Sequence, residues 1–501
     1  MRTILSPDEM RALEARYFEE TGVASETLME RAAQKVADEL QNRLCGVQGK
    51  CAIFACGPGN NGGDGYAAAR LFADRGGRAL VLTMGDPERQ KGDALKNLRR
   101  IQHYPGVEWL SFEQAMGGQR PDAWVDALFG IGLSRPVEGE FVQLMDHMEQ
   151  DRAQGAMVLS VDIPSGLDGR SGRVLGRAVQ ADVTVSFECA KWGHLLGDGL
   201  DLCGELAVKS IGIPENMLPE NAMREFENCD FEDSLPRRRR NSHKGIYGNL
   251  LLIAGSMGMA GAGVLAANAA MRSGVGLISV ACPRSIVPIL QQAAPCATCI
   301  PLPEENGAIA REAVQVLEQA GRGRDALAIG PGLSTRAAPE VVEWALKADL
   351  PAVLDADALN IISRNPKLKA LLRLRHVITP HPGEAARLLG RAMSDPVRDV
   401  LALRDMGATA LLKGASSLIC GEKLSLSAQG SAGMAAGGSG DVLTGVIGAL
   451  LAGRMSPERA ALLGSAIHGR AGEYAEGEWG QTAMTAMDQI QNLSKVFQNR
   501  G

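Results

Sequence analysis

Little in this chain is aromatic. Phe, Trp and Tyr together make 4% of the 501 residues, whereas glycine alone contributes 60. Its cores must then be built from Ala, Val, Leu and Ile, which suits α/β layers joined by tight glycine turns. Strong charge of either sign is also missing. A net charge of −6 gives no footing for a nucleic-acid or membrane-surface binder. No run of eighteen apolar residues occurs, and the candidate after Asp441 is stopped by Arg454, too short to cross a bilayer. The amino terminus reaches an acid at Asp8 and has no apolar signal core. The ten cysteines are scattered and make no disulfide framework; Cys296 and Cys299 form one C-x-x-C with no second pair at zinc-ribbon distance. A soluble, cytoplasmic homo-oligomer acting on small molecules is expected.

Hydrophobic residues make up 45% of the chain, enough for two cores of ordinary size. Ser6-Pro7-Asp8-Glu9 reads as a helix start, with Met10, Leu13 and Tyr17 on one face. A second helix is expected from Glu26 to Leu44. A strand at 51–56, a glycine loop at 57–65, a helix at 66–73 and a strand at 78–83 follow. Apolar runs at 123–125, 157–161 and 183–187 continue the alternation, which predicts a doubly wound parallel sheet. Around residues 214–241 the pattern fails: three prolines, mixed charges and Arg237-Arg-Arg-Arg240 read as a linker. A second α/β series starts at Asn249, with further strands expected near 277–281, 326–329, 352–354, 377–379 and 409–412. Helices from Asp441 and from Pro457 close it. The expected organisation is a domain over 1–215, a linker over 216–240 and a domain over 241–495.

Two constellations carry chemistry. Gly57-Pro-Gly-Asn-Asn-Gly62 formally matches G-x-G-x-x-G after a strand, but Asp86 is only roughly placed to close a dinucleotide site. Amide oxygens and loop carbonyls in the run through Asp64 suit a hard cation. Asp126-Ala-Leu-Phe-Gly and Asp162-Ile-Pro-Ser-Gly-Leu-Asp168 stand at two further strand ends. Parallel sheets bind ligands beyond the carboxyl ends of their strands, and three such ends argue for a site where one alone would read as a capped turn.

The second constellation is Gly430-Ser-Ala-Gly-Met-Ala-Ala-Gly-Gly-Ser-Gly-Asp441-Val-Leu-Thr-Gly445. Its backbone N–H groups and the helix that follows form an anion site. An acid there competes with the anion unless it accepts a proton from a hydroxyl that attacks a phosphoryl group. The alternative for Asp441 is a glycine-rich turn with this acid as helix N-cap, the less favoured of the two readings. Gly330-Pro-Gly332, Thr379-Pro-His-Pro-Gly-Glu384 and Lys413-Gly-Ala-Ser-Ser417 stand at other strand ends, the last offering a cation and hydroxyls to phosphates.

The first set of motifs resembles the NAD(P)H-hydrate epimerase domain over roughly residues 1–215. The second, with Asp355-Ala-Asp-Ala-Leu-Asn360, resembles the ADP- or ATP-dependent NAD(P)H-hydrate dehydratases. The resemblance implies a Rossmann-like first domain and a ribokinase-like second one. It implies that Asn61, Asp126 and Ser165 bind potassium. Asn60, Asn61, Gly62, Gly63, Asp64, Gly130, Ile131, Gly132, Leu133, Ser134, Arg135, Pro136 and Asp162 would line the epimerase pocket, with Asp162 as acid/base residue and Lys191 nearby. Gly263, Gly332, His381 and Asp441 would contact the hydrate in the second domain, with Asp441 as base. Lys413, Gly414, Ala415, Ser416, Ser417 and Gly440 would contact the nucleotide, taken to be ADP with Mg²⁺. Together these imply repair of hydrated NADH and NADPH. The alternatives are a ribokinase-type small-molecule kinase with an accessory domain, or a non-catalytic first domain that regulates the second.

Overall fold

The computed structural model describes residues 1–86, 90–118, 120–235 and 238–498. It divides into two compact units, one of Thr3–Ala222 and one of Met223–Gly501 with Met1–Arg2. Pro236 and Arg237, at the start of the arginine run, lie outside the described residues.

The first unit is built on a seven-stranded, fully parallel sheet. Its strands lie in the order Val107–Leu110, Arg78–Thr83, Cys51–Cys56, Ala123–Ala127, Met157–Val161, Val183–Phe187, Glu205–Lys209. The strand order reverses between Cys51–Cys56 and Ala123–Ala127, and that is where such sheets open a ligand crevice. Both strands are almost wholly buried, so their apolar runs are continuous rather than alternating. Helix Pro7–Thr21 begins as the sequence predicts. The Ser6 hydroxyl accepts from the Glu9 amide, and the Glu9 carboxylate accepts from the Ser6 amide.

The glycine run departs from expectation. The helix starts at Asn60, not Tyr66, and runs to Asp74. Its glycines serve close packing more than loop freedom. A Cβ at Gly62 would lie 2.0 Å from the Gly57 carbonyl oxygen, and one at Gly65 would lie 2.6 Å from the Ala127 side chain. The first helical turn is thereby pressed against the strand ends.

In the second unit, strands Thr298–Leu302, Leu277–Pro283, Asn249–Ile253, Ala326–Ile329, Ala352–Leu354, His376–Ile378 and Thr409–Leu412 lie side by side, all parallel. Two antiparallel strands, Ser417–Cys420 and Leu424–Ser427, extend this sheet. Helix Ser439–Ala452 is buried almost all round, which explains an apolar run that spans no bilayer. Its Gly445 faces Ala266, where a Cβ would meet the carbonyl oxygen at 2.2 Å. Helix Ala260–Arg272 can therefore approach closely. Among the described residues no helix is long and apolar enough to cross a membrane.

The segment read as a linker is structured. Strand Met223–Phe226 pairs in parallel with Leu424–Ser427, and Phe226, Phe231 and Leu235 join the core of the second unit. The strand is only four residues long, two of them charged (Arg224 and Glu225), and prolines and charges flank it, which hid it from sequence reasoning.

Candidate active sites

In the first unit, Asp126 sits on the last turn of its strand rather than after it, and is completely buried. Its carboxylate accepts from the Ser160 hydroxyl at 2.8 Å, from the Ser165 amide at 2.8 Å and from the Ser165 hydroxyl at 2.5 Å. Burial pushes its pKa up, and these hydrogen bonds pull it partly back. Among the described residues no lysine or arginine pairs with it. Ser165 Oγ also accepts from the Phe129 amide at 2.8 Å and lies 3.1 Å from the Phe129 carbonyl oxygen. A Cβ on Gly130 would stand 3.4 Å from Asn61 Oδ1, so Asn61 adjoins this turn. The Asn61 side-chain nitrogen is buried without a partner. A buried carboxylate lacking a counter-charge, a serine oxygen, a carbonyl and the Asn61 amide oxygen make an oxygen set that fits a monovalent cation.

Asp162 lies beyond strand Met157–Val161, in a left-handed backbone conformation with φ of 63°. Its carboxylate accepts from Lys191 Nζ at 2.5 Å, and the pair is nearly enclosed, at 9% and 1% exposure. Lys191 also donates to Ser186 Oγ and to the Phe187 carbonyl, which satisfies all three of its protons. His194 accepts the Lys191 amide on Nδ1, so its Nε2 carries the proton and donates to the Asp162 carbonyl. The backbone and the side chain of Asp162 are thus held separately.

Two further acids share this field. The pKa of Asp64 is pushed well up by burial and then by the charges of Asp162 and Glu14. Glu14 is raised to about 7, first by burial and then by Asp162, with Lys191 and Arg11 opposing. Sequence reasoning missed Glu14. It stands four residues after Met10 and three before Tyr17, on the buried face of its helix, and an acid on an apolar face was the available signal. Gly130, Ile131 and Leu133 are half-buried at the crevice, whereas Gly132, Ser134, Arg135 and Pro136 are exposed on the same turn. Asn60 opens the adjoining helix, with Gly62 and Gly63 buried in its first turn.

In the second unit, the helix carrying the glycine-loop acid begins at Ser439 with Gly438 as its N-cap, so Asp441 is its third residue and not the cap. Burial, with Asp355 and Asp357 acting the same way and Lys413 opposing, brings the Asp441 pKa to about 7. Lys413 ends strand Thr409–Leu412, and its Nζ donates to Asp355 Oδ1 at 2.7 Å. Gly414 and Ala415 form an exposed hairpin tip, Ser417 opens the returning strand, and Ser416 Oγ is buried without a partner. That orphan hydroxyl beside a lysine fits a phosphate-bearing ligand.

His381 is extended, as its flanking prolines predict, and caps helix Pro382–Leu389 by accepting from the Gly383 amide. Glu384 is buried and its pKa is raised, by burial ahead of Asp355, with Lys413 and His381 opposing. Gly332 has φ of 59° and abuts the Met259 carbonyl, where any Cβ would clash at 2.5 Å. Gly263 is buried one turn into helix Ala260–Arg272. These acids make no dedicated magnesium cage. Asp355 is committed to Lys413 and Thr444, and Asp357 accepts from the Ser334 amide. Magnesium of the kind that accompanies nucleotides is held largely by phosphate oxygens and water.

Comparison with known proteins accounts for two sites in one chain. A family model described as NAD(P)H-hydrate dehydratase matches residues 250–495, and one described as YjeF-related protein N-terminus matches residues 25–193. The bifunctional NAD(P)H-hydrate repair enzyme of Moorella thermoacetica is 35% identical, over 99% of this chain and 97% of that protein. The enzyme of the same description from Escherichia coli is 33% identical, over 99% of this chain and 94% of that protein. The chain belongs to the bifunctional NAD(P)H-hydrate repair enzyme family. A solved Bacillus subtilis structure described as an ADP/ATP-dependent NAD(P)H-hydrate dehydratase co-crystallised with ATP and Mg²⁺ is 28% identical. It covers 56% of this chain and 99% of that one, with a TM-score of 0.45. Within the family frame, the crevice of the first unit and the glycine loop of the second belong to separate catalytic tasks.

Proposed function

We infer that this chain repairs hydrated NADH and NADPH. Its first unit interconverts the R and S hydrates. Its second removes water from the S form at the expense of a nucleotide, with ADP as the phosphoryl donor. The observation that carries the reading is the pair of acids, Asp162 and Asp441, each at the mouth of its own glycine-lined crevice within full-length similarity to repair enzymes.

In the second unit, Asp441 takes the proton from the hydroxyl on C6 of the reduced ring. That oxygen attacks the terminal phosphoryl group, whose bond to the bridging oxygen breaks. Backbone N–H groups of the glycine loop and the Lys413 ammonium face the charge that develops. The C6–O bond of this phosphate ester then breaks, assisted by the ring nitrogen; phosphate leaves, and loss of a proton from C5 of the resulting iminium restores the dihydronicotinamide. In the first unit, exchange at C6 needs ring opening or transient loss of water. Both require a proton donor and acceptor beside that carbon. Asp162, held by Lys191, serves as one. Glu14, whose pKa is raised to about 7, lies in the same field. The test is incubation with mixed R and S hydrates plus nucleotide, following the absorbance of regenerated NADH. Accumulation of a stable phosphorylated product instead would favour a ribokinase-type kinase.

Asn61, Asp126 and Ser165 would hold potassium. The ion would neutralise the buried Asp126 and stiffen the turn at Phe129 and Gly130. Epimerisation is therefore expected to fall on exchange of potassium for a bulky organic cation and to return on re-addition. Thermal unfolding of the first unit should move to lower temperature in parallel. Unchanged rates and unchanged unfolding would remove the assignment.

Each unit has its own apolar core, so the two activities are expected to separate. A fragment of residues 1–222 should interconvert the epimers without nucleotide. A fragment starting at residue 223 should consume one epimer and stall. A fragment starting at 241 loses Phe226, Phe231 and Leu235 from its core, at roughly 1.5–3 kcal/mol for each large side chain. It should unfold at clearly lower denaturant than the longer fragment, and equal midpoints would refute the structured role of 223–235.

A further inference from the structure

Asp355 closes strand Ala352–Leu354 and is buried, at 1% exposure. Both of its carboxylate oxygens are engaged. Oδ1 accepts from Lys413 Nζ at 2.7 Å, and Oδ2 accepts from Thr444 Oγ1 at 2.9 Å. Thr444 lies three residues after Asp441 in the same helix, and its hydroxyl also reaches the Gly440 carbonyl at 3.1 Å. A Cβ placed on Gly440 would stand 3.3 Å from Lys413 Nζ and 3.4 Å from Asp355 Oδ2, so the turn before Asp441 rests directly on the ion pair.

An ion pair whose carboxylate is buried and whose lysine is half-buried is a poor way to stabilise a core, since an apolar pair of similar volume serves as well or better. Its placement therefore calls for another explanation. We propose that Asp355 is a positioning residue for dehydration: it clamps the Lys413 ammonium and the Thr444 hydroxyl against the turn at Gly440. The cation and the base Asp441 then keep a fixed separation while the phosphoryl group is transferred. This rests on the reading of Asp441 as the base.

The clamp has an electrostatic signature. Asp355 and Asp357 face Asp441 from the turn after Ala352–Leu354, and Lys413 faces it from the end of Thr409–Leu412. Glu384, which is itself influenced by the capping His381, acts on the pair from helix Pro382–Leu389, and His468 feels Lys413 from helix Pro457–Ala483. The negative charge of Asp355 favours the protonated form of Asp441, and Lys413 favours the ionised form. A base must be ionised to act. Removing the Asp355 charge should therefore move the acid limb of the dehydration rate profile to lower pH, and removing the Lys413 charge should move it to higher pH.

The experiment measures kcat against pH for the intact chain with S hydrate and saturating ADP–Mg²⁺. For Asp355→Asn the acid limb should move down by about one pH unit, as expected for loss of one neighbouring like charge. The plateau should fall at least tenfold. A limb that stays in place or moves up overturns the proposal. If Asp355→Asn lacks a cooperative unfolding transition, Lys413→Gln decides: a limb displaced upward supports the clamp, and one in place or lower overturns it. Asp441→Asn is run beside them. Retained dehydration there would remove the reading of the base and this inference with it. Loss there with an unmoved Asp355→Asn limb would remove the inference alone.

Discussion

Asp441→Asn should lose dehydration by a factor on the order of 10²–10⁴, the usual cost of removing a general base, while epimerisation in the same chain stays intact. The substitution keeps the shape of the side chain and removes only its capacity to accept the proton. Asp441 does not cap its helix, since Gly438 holds that position, so the fold should tolerate the change. The wild-type profile has a stated sign. Burial and Asp355 hold the Asp441 pKa up at about 7, so dehydration should rise with pH through neutrality and level off above it. Dehydration of the S hydrate at near wild-type rate by Asp441→Asn, measured by NADH absorbance, would refute the mechanism.

Lys191→Met should damage stability as well as epimerisation. The lysine is enclosed, donates to three acceptors and is the cation on Asp162. Removing one partner leaves a buried carboxylate uncompensated, typically at about 3–5 kcal/mol. Asp162→Asn with Lys191→Met removes both charges and should recover part of that loss. With Asp162→Asn measured alone as well, the four proteins close a double-mutant cycle that gives the coupling energy. Calorimetry of the intact chain should show the transition of the first unit moving while the other stays. Equal transition temperatures for wild type and Lys191→Met would show that the pair is not what holds this site.

Much of this was legible in residue patterns. Strands buried on both faces read as plain apolar runs, so Cys51–Cys56, Met157–Val161, Val183–Phe187 and Ala326–Ile329 were found with their ends in place. Glycine was harder to interpret. The run at 57–65 reads as a loop because glycine permits one, but half of it is a helix pressed on backbone too closely for any side chain. The strand Met223–Phe226 is only four residues long and gains its place from a partner two hundred residues away, a dependence that no local window contains. Residues named by motif stand together where the chain bunches them, as at Lys413–Ser417. Glu14 and Thr444 escaped because their meaning depends on which residues the fold brings opposite, and Asp355 was seen only as part of a motif.

The left-handed backbone at Asp162 restricts what evolution or an engineer can place there. Side chains with a Cβ rarely adopt φ near 63°, and asparagine, aspartate and glycine are those that enter that region most readily. The strand end therefore favours a short carboxylate, its amide, or glycine, although Glu188 holds a φ of 57° elsewhere in the chain. A saturation library at this single codon should return folded protein mainly for three residues. Only one of the three bears an ionisable group, so backbone geometry favours aspartate at this position alongside any chemical selection.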